Sequence, residues 1–422
     1  MEIKKWIGIA LIGVMVFSCS NNKQIMDDRV TKKEFEWQVD KFGEFEILRY
    51  QVPGFETLDL NKKILIYYLY KAALCGRDII YDQNNGNNLA VRKTLEAIYV
   101  KTKHDTTSKD WNAFETYIKQ VWFANGIHHH YSTDKFKPEF SENYFKTNLS
   151  KLNDNELPLH GLTREQFEEQ IVKVIFDPTY LPKRVNTDPE SDIIISSANN
   201  FYEGVTFKEA EEFYKKMHDG AKNKELSFGL NSKLIKVNGK IVENIYKLGG
   251  MYSPAIEKIC YWLEKAKTCA ENKQQEKTIE KLIEFYKTGD LQVFDEYNIA
   301  WVNDTVSDID FVNGFIEVYG DAAGRKATWE SVVNFKDKEA TKRTQVLSEN
   351  AQWFEDNSPV DERFKKKKVK GITAKVITVA ALGGDCYPST PIGINLPNSM
   401  WIRQHYGSKS VTLENICYAY DK

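Results

Sequence analysis

Signals for the start of a helix recur along the chain up to about residue 300, and they constrain this part to a largely helical fold. Thr163–Gln166 and Thr206–Glu209 each place a Thr three residues before a Gln or Glu. In this capping box the two side chains satisfy backbone N–H groups that the first helical turn leaves unpaired. Ser108 and Ser253-Pro254 open two further helical patterns, and Gly220 stands where a helix should end.

Strand-forming segments interrupt and then follow these helices. Leu234–Glu243 contains Asn238-Gly239, a pair that favours the left-handed backbone of a two-residue hairpin turn. Further strands are predicted at Asp310–Tyr319 and Val369–Val379, with a helix at Lys338–Phe354 between them. Helices and strands that are mostly separated along the chain predict the α+β class, mostly helical.

Size and charge limit the classes of partner. The chain has 422 residues and a mass of 48.9 kDa, enough for the core of two or three domains. Its 58 basic and 60 acidic side chains give a net charge of −2, whereas nucleic-acid-binding proteins usually carry a basic excess. We therefore expect no nucleic-acid partner, and we interpret the short basic run Lys365–Lys368 as a solvated segment.

The N-terminus predicts export and a membrane anchor. Two lysines precede the apolar stretch Trp6–Phe17, which is too short to span a bilayer but suits a secretory signal. Val16–Cys19 resembles a bacterial lipobox, in which the cysteine is lipidated and becomes the mature N-terminus. We expect residues 1–19 to be a lipoprotein signal peptide and residues 20–34 a polar tether. The protein would then be a periplasmic or cell-envelope lipoprotein; the alternative is a plain signal peptide cleaved nearby.

The segment Asn313–Asp321 carries the first candidate site. In an extended strand, Phe315, Glu317 and Tyr319 would share one face, with the apolar residues between them on the other. The carboxylate of Glu317 could hold a free α-ammonium group by a charge-assisted hydrogen bond. The phenol of Tyr319 could donate to an oxyanion that forms at a peptide carbonyl. The alternative is an ordinary solvated strand face.

The segment Gly383–Asn398 carries the second candidate site. Its apolar residues alternate with polar ones, and the amides of Asn395 and Asn398 offer both a donor and an acceptor. Such amides could pair with the backbone of an extended peptide, and Pro397 suits an edge position where a partner docks. The alternative is a loop that leaves a sheet.

The three consecutive histidines His128–His130 are candidate metal ligands. In an extended stretch His128 and His130 would share a face opposite His129, but no carboxylate or cysteine at ligand spacing completes a set. We interpret this run as a polar loop at the edge of a cleft, with a metal site as the alternative. None of the seven histidines is followed by Glu, so the sequence contains no H-E-x-x-H zinc motif.

Three spaced motifs resemble the dipeptidyl peptidase III family of zinc exopeptidases, especially its Bacteroidetes branch. They are Asn125–Pro138, Asn313–Asn334 and Gly383–Arg403. The resemblance extends from about residue 35 to residue 422, and it implies an enzyme that removes dipeptides from the free N-terminus of an oligopeptide substrate.

The resemblance also implies roles for five side chains. Glu317 falls on the glutamate that holds the substrate's N-terminus, and Tyr319 on the tyrosine that stabilises the transition state. Asn395 and Asn398 fall on asparagines that bind the N-terminal residues of the substrate, and Glu330 aligns with another glutamate of the cleft. Gly320 and Met400 depart from an Arg and an acidic residue found in some members, which implies a different substrate preference.

Members of this family have two lobes, one with a small β-barrel and one that carries H-E-x-x-G-H. The resemblance therefore implies a barrel-containing lobe from residues 35–336 and 372–422, a helical excursion at 337–371, and no zinc-binding domain. Zinc belongs to the complete family, and no cofactor is expected in this chain. We expect it to bind peptides and to be inactive alone; the alternative is a non-catalytic peptide-binding lipoprotein.

Overall fold

A computed structural model describes residues 35–103, 107–369, 372–388 and 390–422. Trp37–Lys422 form one compact unit. The predicted signal peptide, Cys19 and the tether at 20–34 lie outside the described residues. Within the described part of the chain, no helix is both long and apolar enough to cross a membrane.

The described residues contain fourteen α-helices, most of them before residue 304. They are α1 (Leu60–Cys75), α2 (Arg77–Asn84), α3 (Asn88–Thr102), α4 (Lys109–Phe123), α5 (Glu142–Leu149), α6 (Arg164–Phe176), α7 (Phe207–Gly220), α8 (Ser253–Lys267), α9 (Lys273–Thr288), α10 (Leu291–Asn303), α11 (Lys338–Glu349), α12 (Ala351–Asp356), α13 (Met400–His405) and α14 (Glu414–Tyr420). The mostly helical first part is confirmed.

The predicted helix starts are confirmed in atomic detail. Thr163 accepts a hydrogen bond from the backbone of the third helical residue of α6, and the side chain of that residue bonds back to Thr163. Thr206 makes the same pair of contacts at the start of α7. Ser108 caps α4, and α8 begins at Ser253 with a proline in its first turn. Gly220 does not cap a helix: it is the last residue of α7, and the extended Ala221 follows it.

The described residues also contain ten β-strands. They are β1 (Gln38–Phe42), β2 (Phe45–Leu48), β3 (Tyr202–Glu203), β4 (Ser232–Val237), β5 (Lys240–Ile245), β6 (Ile309–Glu317), β7 (Thr328–Lys336), β8 (Ile372–Gly384), β9 (Gly393–Leu396) and β10 (Ser408–Leu413). The predicted hairpin is β4–β5, and the positive φ angles of Asn238 (50°) and Gly239 (77°) match the turn that this pair favours.

The main sheet has five strands in the order β6-β7-β8-β10-β9 and curls like half of a barrel. Its neighbours pair in antiparallel fashion except β8 and β10, which run parallel. This sheet and the surrounding helices confirm the predicted α+β class.

The link from β7 to β8 is helical, as predicted. The expected single helix is two shorter ones, because α11 ends at Glu349 and α12 begins at Ala351. Strand β8 begins at Ile372, after the predicted start of Val369, and extends to Gly384. The limits of the excursion at 337 and 371 stay predictions.

Helix α1 packs directly on the sheet at a point where a side chain would not fit. Trp329 of β7 is fully buried, and its Nε1 donates to the hydroxyl of Tyr286 at 3.0 Å. Gly76, between α1 and α2, lies over the Trp329 ring, and a Cβ there would be 2.2 Å from ring carbons. This contact fixes the strand that also carries Glu330.

Candidate functional site

A β-bulge at the end of β6 decides where Glu317 points. In the register of β6 and β7, Ile316 has no partner of its own, so the alternation of faces breaks there. Phe315 is fully buried, with its ring centroid 4.9 Å from that of Tyr246, whereas Glu317 lines an open cleft. The predicted common face for Phe315, Glu317 and Tyr319 is therefore wrong, and β6 ends before Tyr319 is reached.

The structure nevertheless brings three of the predicted site residues together. Glu317, Tyr319 and Asn398 line one cleft at the end of β6. The side-chain amide of Asn398 donates to the carbonyl oxygen of Ile316 at 3.3 Å, which joins the loop after β9 to the bulge. Tyr319 is 82% exposed, so its phenol is free to meet a ligand in the cleft.

Asn395 is placed differently from Asn398. It lies on β9, where it pairs with Ser410 of β10, and its side chain is exposed. The next residue, Leu396, is buried in the core. Because successive side chains of a strand point to opposite faces, Asn395 faces outward, and it is not among the described residues that line the cleft with Glu317.

Three carboxyl groups interact around the bulge. Burial raises the pKa of Glu317, the charge of Asp385 raises it further, and a hydrogen bond from Asn398 opposes both. Glu330 is 5% exposed, and burial, with added repulsion from Glu317 and Asp385, raises its pKa to about 8. The thiol of Cys386 donates to Oε2 of Glu330 at 3.5 Å. Glu330 is therefore a neutral, buried acid at pH 7 and does not line the cleft itself.

Thr328 ties the bulge to the end of β8. Its Oγ1 lies 2.9 Å from Oδ2 of Asp385 and 3.1 Å from the carbonyl oxygen of Glu317. Gly320 leaves the space that the Thr328 methyl occupies, since a Cβ there would be 2.7 Å from it. Gly320 stands where some members of the family that the chain resembles have an Arg, and any side chain here would displace Thr328.

Sequence reasoning missed the groups that hold the Tyr319 loop. The carboxylate of Asp321 accepts a hydrogen bond from the hydroxyl of Tyr202 at 2.9 Å and another from the backbone of Lys326 at 2.8 Å. Lys326 is fully buried and donates to the hydroxyl of Tyr214, and burial lowers its pKa to about 7. The signal was weak, because a charged residue in a polar loop is usually solvated.

The histidine run is a structural element. His128 is 2% exposed, its Nε2 lies 2.9 Å from the carbonyl oxygen of Leu181, and burial lowers its pKa to about 4. The backbone of Tyr131 donates to Nδ1 of His129, and His129 stacks on His130 with ring centroids 4.6 Å apart. Among the described residues, no group of three or more His, Cys, Asp or Glu side chains could hold a metal ion. The described side chains therefore do not fit a zinc site.

Comparison with known proteins places these residues in a family context. The sequence model of peptidase family M49 matches residues 201–422. Dipeptidyl peptidase 3 of Dictyostelium discoideum is 24% identical over 327 residues, which cover 74% of this chain and 45% of that protein. Dipeptidyl peptidase 3 of Homo sapiens is 29% identical over 167 residues, which cover 40% of this chain and 22% of that protein.

Two solved structures share the fold. DPP III from Caldithrix abyssi has a TM-score of 0.62 at 21% identity, over 87% of this chain and 57% of that one. Dipeptidyl-peptidase III from Corallococcus sp. strain EGB has a TM-score of 0.61 at 18% identity, over 86% of this chain and 55% of that one. These matches confirm the family resemblance and the predicted fold class. The chain spans about half the length of the relatives that it matches most extensively.

Proposed function

This chain belongs to peptidase family M49, and from that membership we propose that its cleft holds the free amino end of an oligopeptide in a dipeptidyl peptidase III-like enzyme. The observation that carries the proposal is that Glu317, Tyr319 and Asn398 line one cleft, with Glu317 half-buried beside the Asn398 amide. A half-buried carboxylate attracts an ammonium group more strongly than an exposed carboxylate does, because less water screens the two charges.

The chemistry selects for an unblocked peptide. The α-ammonium of the substrate pairs with Glu317 and offsets the burial that raises the pKa of this carboxyl. Asn398 presents its amide to the backbone of the first residues. The exposed phenol of Tyr319 is available to donate to the carbonyl oxygen of the scissile bond.

Cleavage by a member of family M49 also depends on zinc. Zinc, on which family M49 depends, polarises a carbonyl and activates water when it is bound. No histidine of the 422 residues is followed by Glu, and the described side chains do not fit a metal site. We propose that these residues bind peptides without hydrolysing them.

Peptide binding is tested by calorimetry with a tetrapeptide and its N-acetylated twin. The free peptide should bind, and acetylation or Glu317→Gln should weaken binding by about tenfold or more, because each removes one charge of the pair. Glu190→Gln, an exposed carboxylate outside the cleft, is the matched control and should bind normally. Equal affinity for the free and the acetylated peptide would overturn the proposal.

Hydrolysis is tested on a dipeptidyl-arylamide substrate with the purified chain. We expect no product with or without added zinc, and zinc-dependent turnover would contradict this.

The DNA downstream of codon 422 distinguishes a part of a larger peptidase from a non-catalytic binding protein. An H-E-x-x-G-H encoded there supports a larger peptidase; its absence, together with binding lost in Glu317→Ala, supports a non-catalytic peptide-binding lipoprotein.

We also propose that the protein is exported and anchored by a lipid on Cys19, on the evidence of the lipobox-like Val16–Cys19. Cells that express the wild-type protein should carry it in the detergent phase after phase separation, labelled by radioactive palmitate. Cys19→Ala should remove the label. A labelled Cys19→Ala protein would overturn this assignment.

A further inference from the structure

Helix α1 carries apolar side chains on its outer side as well as on the side that faces the core. Its buried residues include Leu65 and Leu69. Tyr67, Tyr70 and Leu74, spaced three and four residues apart, form a stripe along the outer side, and each of them is between 40% and 50% exposed. The outer side of a soluble helix is ordinarily polar, so this stripe indicates an interaction surface.

Two aromatic residues of α8, which packs beside α1, extend this stripe. The ring centroid of Trp262 lies 6.1 Å from that of Tyr67, and the ring centroid of Tyr261 lies 5.1 Å from that of Trp262. Tyr261 is 55% exposed and Trp262 is half-buried. We call the surface formed by Tyr67, Tyr70, Leu74, Tyr261 and Trp262 the aromatic face.

Three lysines adjoin the aromatic face. The Nζ of Lys71 lies 5.5 Å from the centre of the Trp262 ring, and the Nζ of Lys265 lies 5.0 Å from the centre of the Tyr261 ring. Lys258, exposed one turn before Trp262, lines the same groove as Lys71. None of these three lysines forms an ion pair with another described residue, so their charges can attract an anionic partner.

The acidic residues near the aromatic face do not cancel these charges. Asp78 pairs with Arg92 at 2.9 Å, and Glu264 pairs with Lys267 at 3.1 Å. Glu257, exposed on α8, offsets the charge of one lysine. The border of the aromatic face is therefore positive, although the whole chain carries a net charge of −2.

The chain enters the compact unit near the aromatic face. Trp37 is the first residue of this unit, and its ring centroid lies 5.4 Å from that of Tyr418 on α14. Tyr420, two residues further along α14, lines one depression together with Tyr70 of α1. Whatever is attached to the chain before Trp37 is therefore held on this side of the unit.

We propose that the aromatic face rests on the headgroups of an anionic phospholipid bilayer. Tyrosine and tryptophan concentrate at membrane–water interfaces, because each has an apolar ring and a polar tip. Lysine stems lie along such rings while their ammonium groups reach the lipid phosphates. The inference uses the lipid proposed above on Cys19 and does not depend on peptide binding. Residues 20–34 span at most about 50 Å, so the lipid keeps the face near the membrane, where a weak attraction is enough.

Sedimentation of the full chain with vesicles tests the proposal. Cys19→Ala is present in every protein, so no lipid is attached, and residues 1–19 are otherwise the same throughout. The chain should bind vesicles that contain phosphatidylglycerol about tenfold more tightly than vesicles of phosphatidylcholine alone. Lys71→Gln, Lys258→Gln and Lys265→Gln, combined, should remove most of this preference. Equal binding to both kinds of vesicle, or an unchanged preference in the triple variant, would overturn the proposal.

Three exposed lysines of α7 provide the matched control. Lys208→Gln, Lys215→Gln and Lys216→Gln, combined, remove the same charge from a helix that does not contribute to the aromatic face. This variant should keep the preference for phosphatidylglycerol. An equal loss in the two triple variants would assign the preference to net charge and contradict the role of the aromatic face.

Hydroxyl-radical footprinting locates the contact without any change to the face. When anionic vesicles are added, oxidation of Tyr67 and Tyr261 should fall by about half or more, because apolar faces enter the headgroup region. Oxidation of the exposed Tyr319, in the peptide cleft, should not change. Unchanged oxidation of Tyr67 and Tyr261 in vesicle-bound protein would overturn the proposal. So would a dimer in solution that is lost in Tyr67→Ser, because it would assign the face to a second copy of the chain.

Discussion

The carboxyl of Glu330 and the thiol of Cys386 face each other in a buried site, with Sγ 3.5 Å from Oε2. Burial keeps both groups in their protonated forms, since it raises the pKa of Glu330 to about 8 and the pKa of Cys386 well above its ordinary value. The repulsion from Glu317 and Asp385 acts on Glu330 in the same direction. An acid at this position is therefore a neutral hydrogen-bonding group at pH 7.

This state of Glu330 predicts a pH-dependent difference in stability. The carboxyl ionises near pH 4.5 in the unfolded chain and near pH 8 in the folded one, so between these values the folded state holds one more proton. The unfolding free energy of the wild type should therefore fall relative to Glu330→Gln as pH rises, by up to about 1 kcal/mol per unit between pH 5 and 8. Urea denaturation at four pH values measures this difference, and a flat difference would contradict it. Glu190→Gln should show none.

As the pH falls, peptide binding should begin to weaken at a higher pH than it would if Glu317 were exposed. Burial raises the pKa of Glu317, so its charge is lost early as pH falls, and with it the attraction for the α-ammonium group. The charge of the neighbouring Asp385 adds to this rise in the pKa of Glu317. Calorimetry between pH 4 and 7 checks this, with Glu317→Gln expected to show a weak, much flatter profile. An equally steep profile in that variant would assign the effect to another group.

The contact of Gly76 with Trp329 predicts a large stability loss in Gly76→Ala. The φ angle of Gly76 is −86°, which any residue adopts, so the only obstacle is the ring 2.2 Å from the new Cβ. We expect a loss of about 2–3 kcal/mol in unfolding free energy, as for other overpacked cores. Gly220→Ala, at the open end of α7, is the matched control and should be nearly neutral. Thermal and urea unfolding of both variants would show whether the loss is confined to Gly76.

The hydroxyl of Thr328 predicts a coupled loss of stability and binding. Thr328→Val keeps the shape but leaves Asp385 and the Glu317 carbonyl without their shared donor. We expect a cost of about 1–2 kcal/mol in unfolding free energy and weaker peptide binding, because the bulge is no longer tied to β8. Thr147→Val, an exposed threonine on α5, is the control. Unchanged peptide affinity in a folded Thr328→Val protein would show that this tie does not serve the cleft.

Local signals predicted the elements well because their causes are local. The boxes at Thr163 and Thr206 and the turn at Asn238-Gly239 depend on residues within four positions of each other. The bulge at Ile316 has no such local cause, because it arises from the pairing of β6 with β7. The sequence of the segment alternates like that of a regular strand. That pairing moved Glu317 away from Phe315, which sequence reasoning had placed on one face.

The candidate site was predictable only in part, for the same reason. Motifs identified Glu317, Tyr319 and Asn398, which meet in the cleft, but could not show that Asn395 faces outward from β9. Lys326 carries only a weak signal of its burial, because a charged residue in a polar loop is ordinarily solvated. Its burial depends on packing against residues from distant parts of the chain.

The strand order of the main sheet determines when β9 can pair during synthesis of the chain. Strand β9 precedes β10 along the chain, yet it lies at the sheet edge and, among the described strands, pairs only with β10. It therefore has no hydrogen-bonding partner until the ribosome has released the residues up to Leu413, and the loop that carries Asn398 is anchored on one side until then. In a nascent chain, the part of the cleft that carries Glu317 therefore forms before the part that carries Asn398.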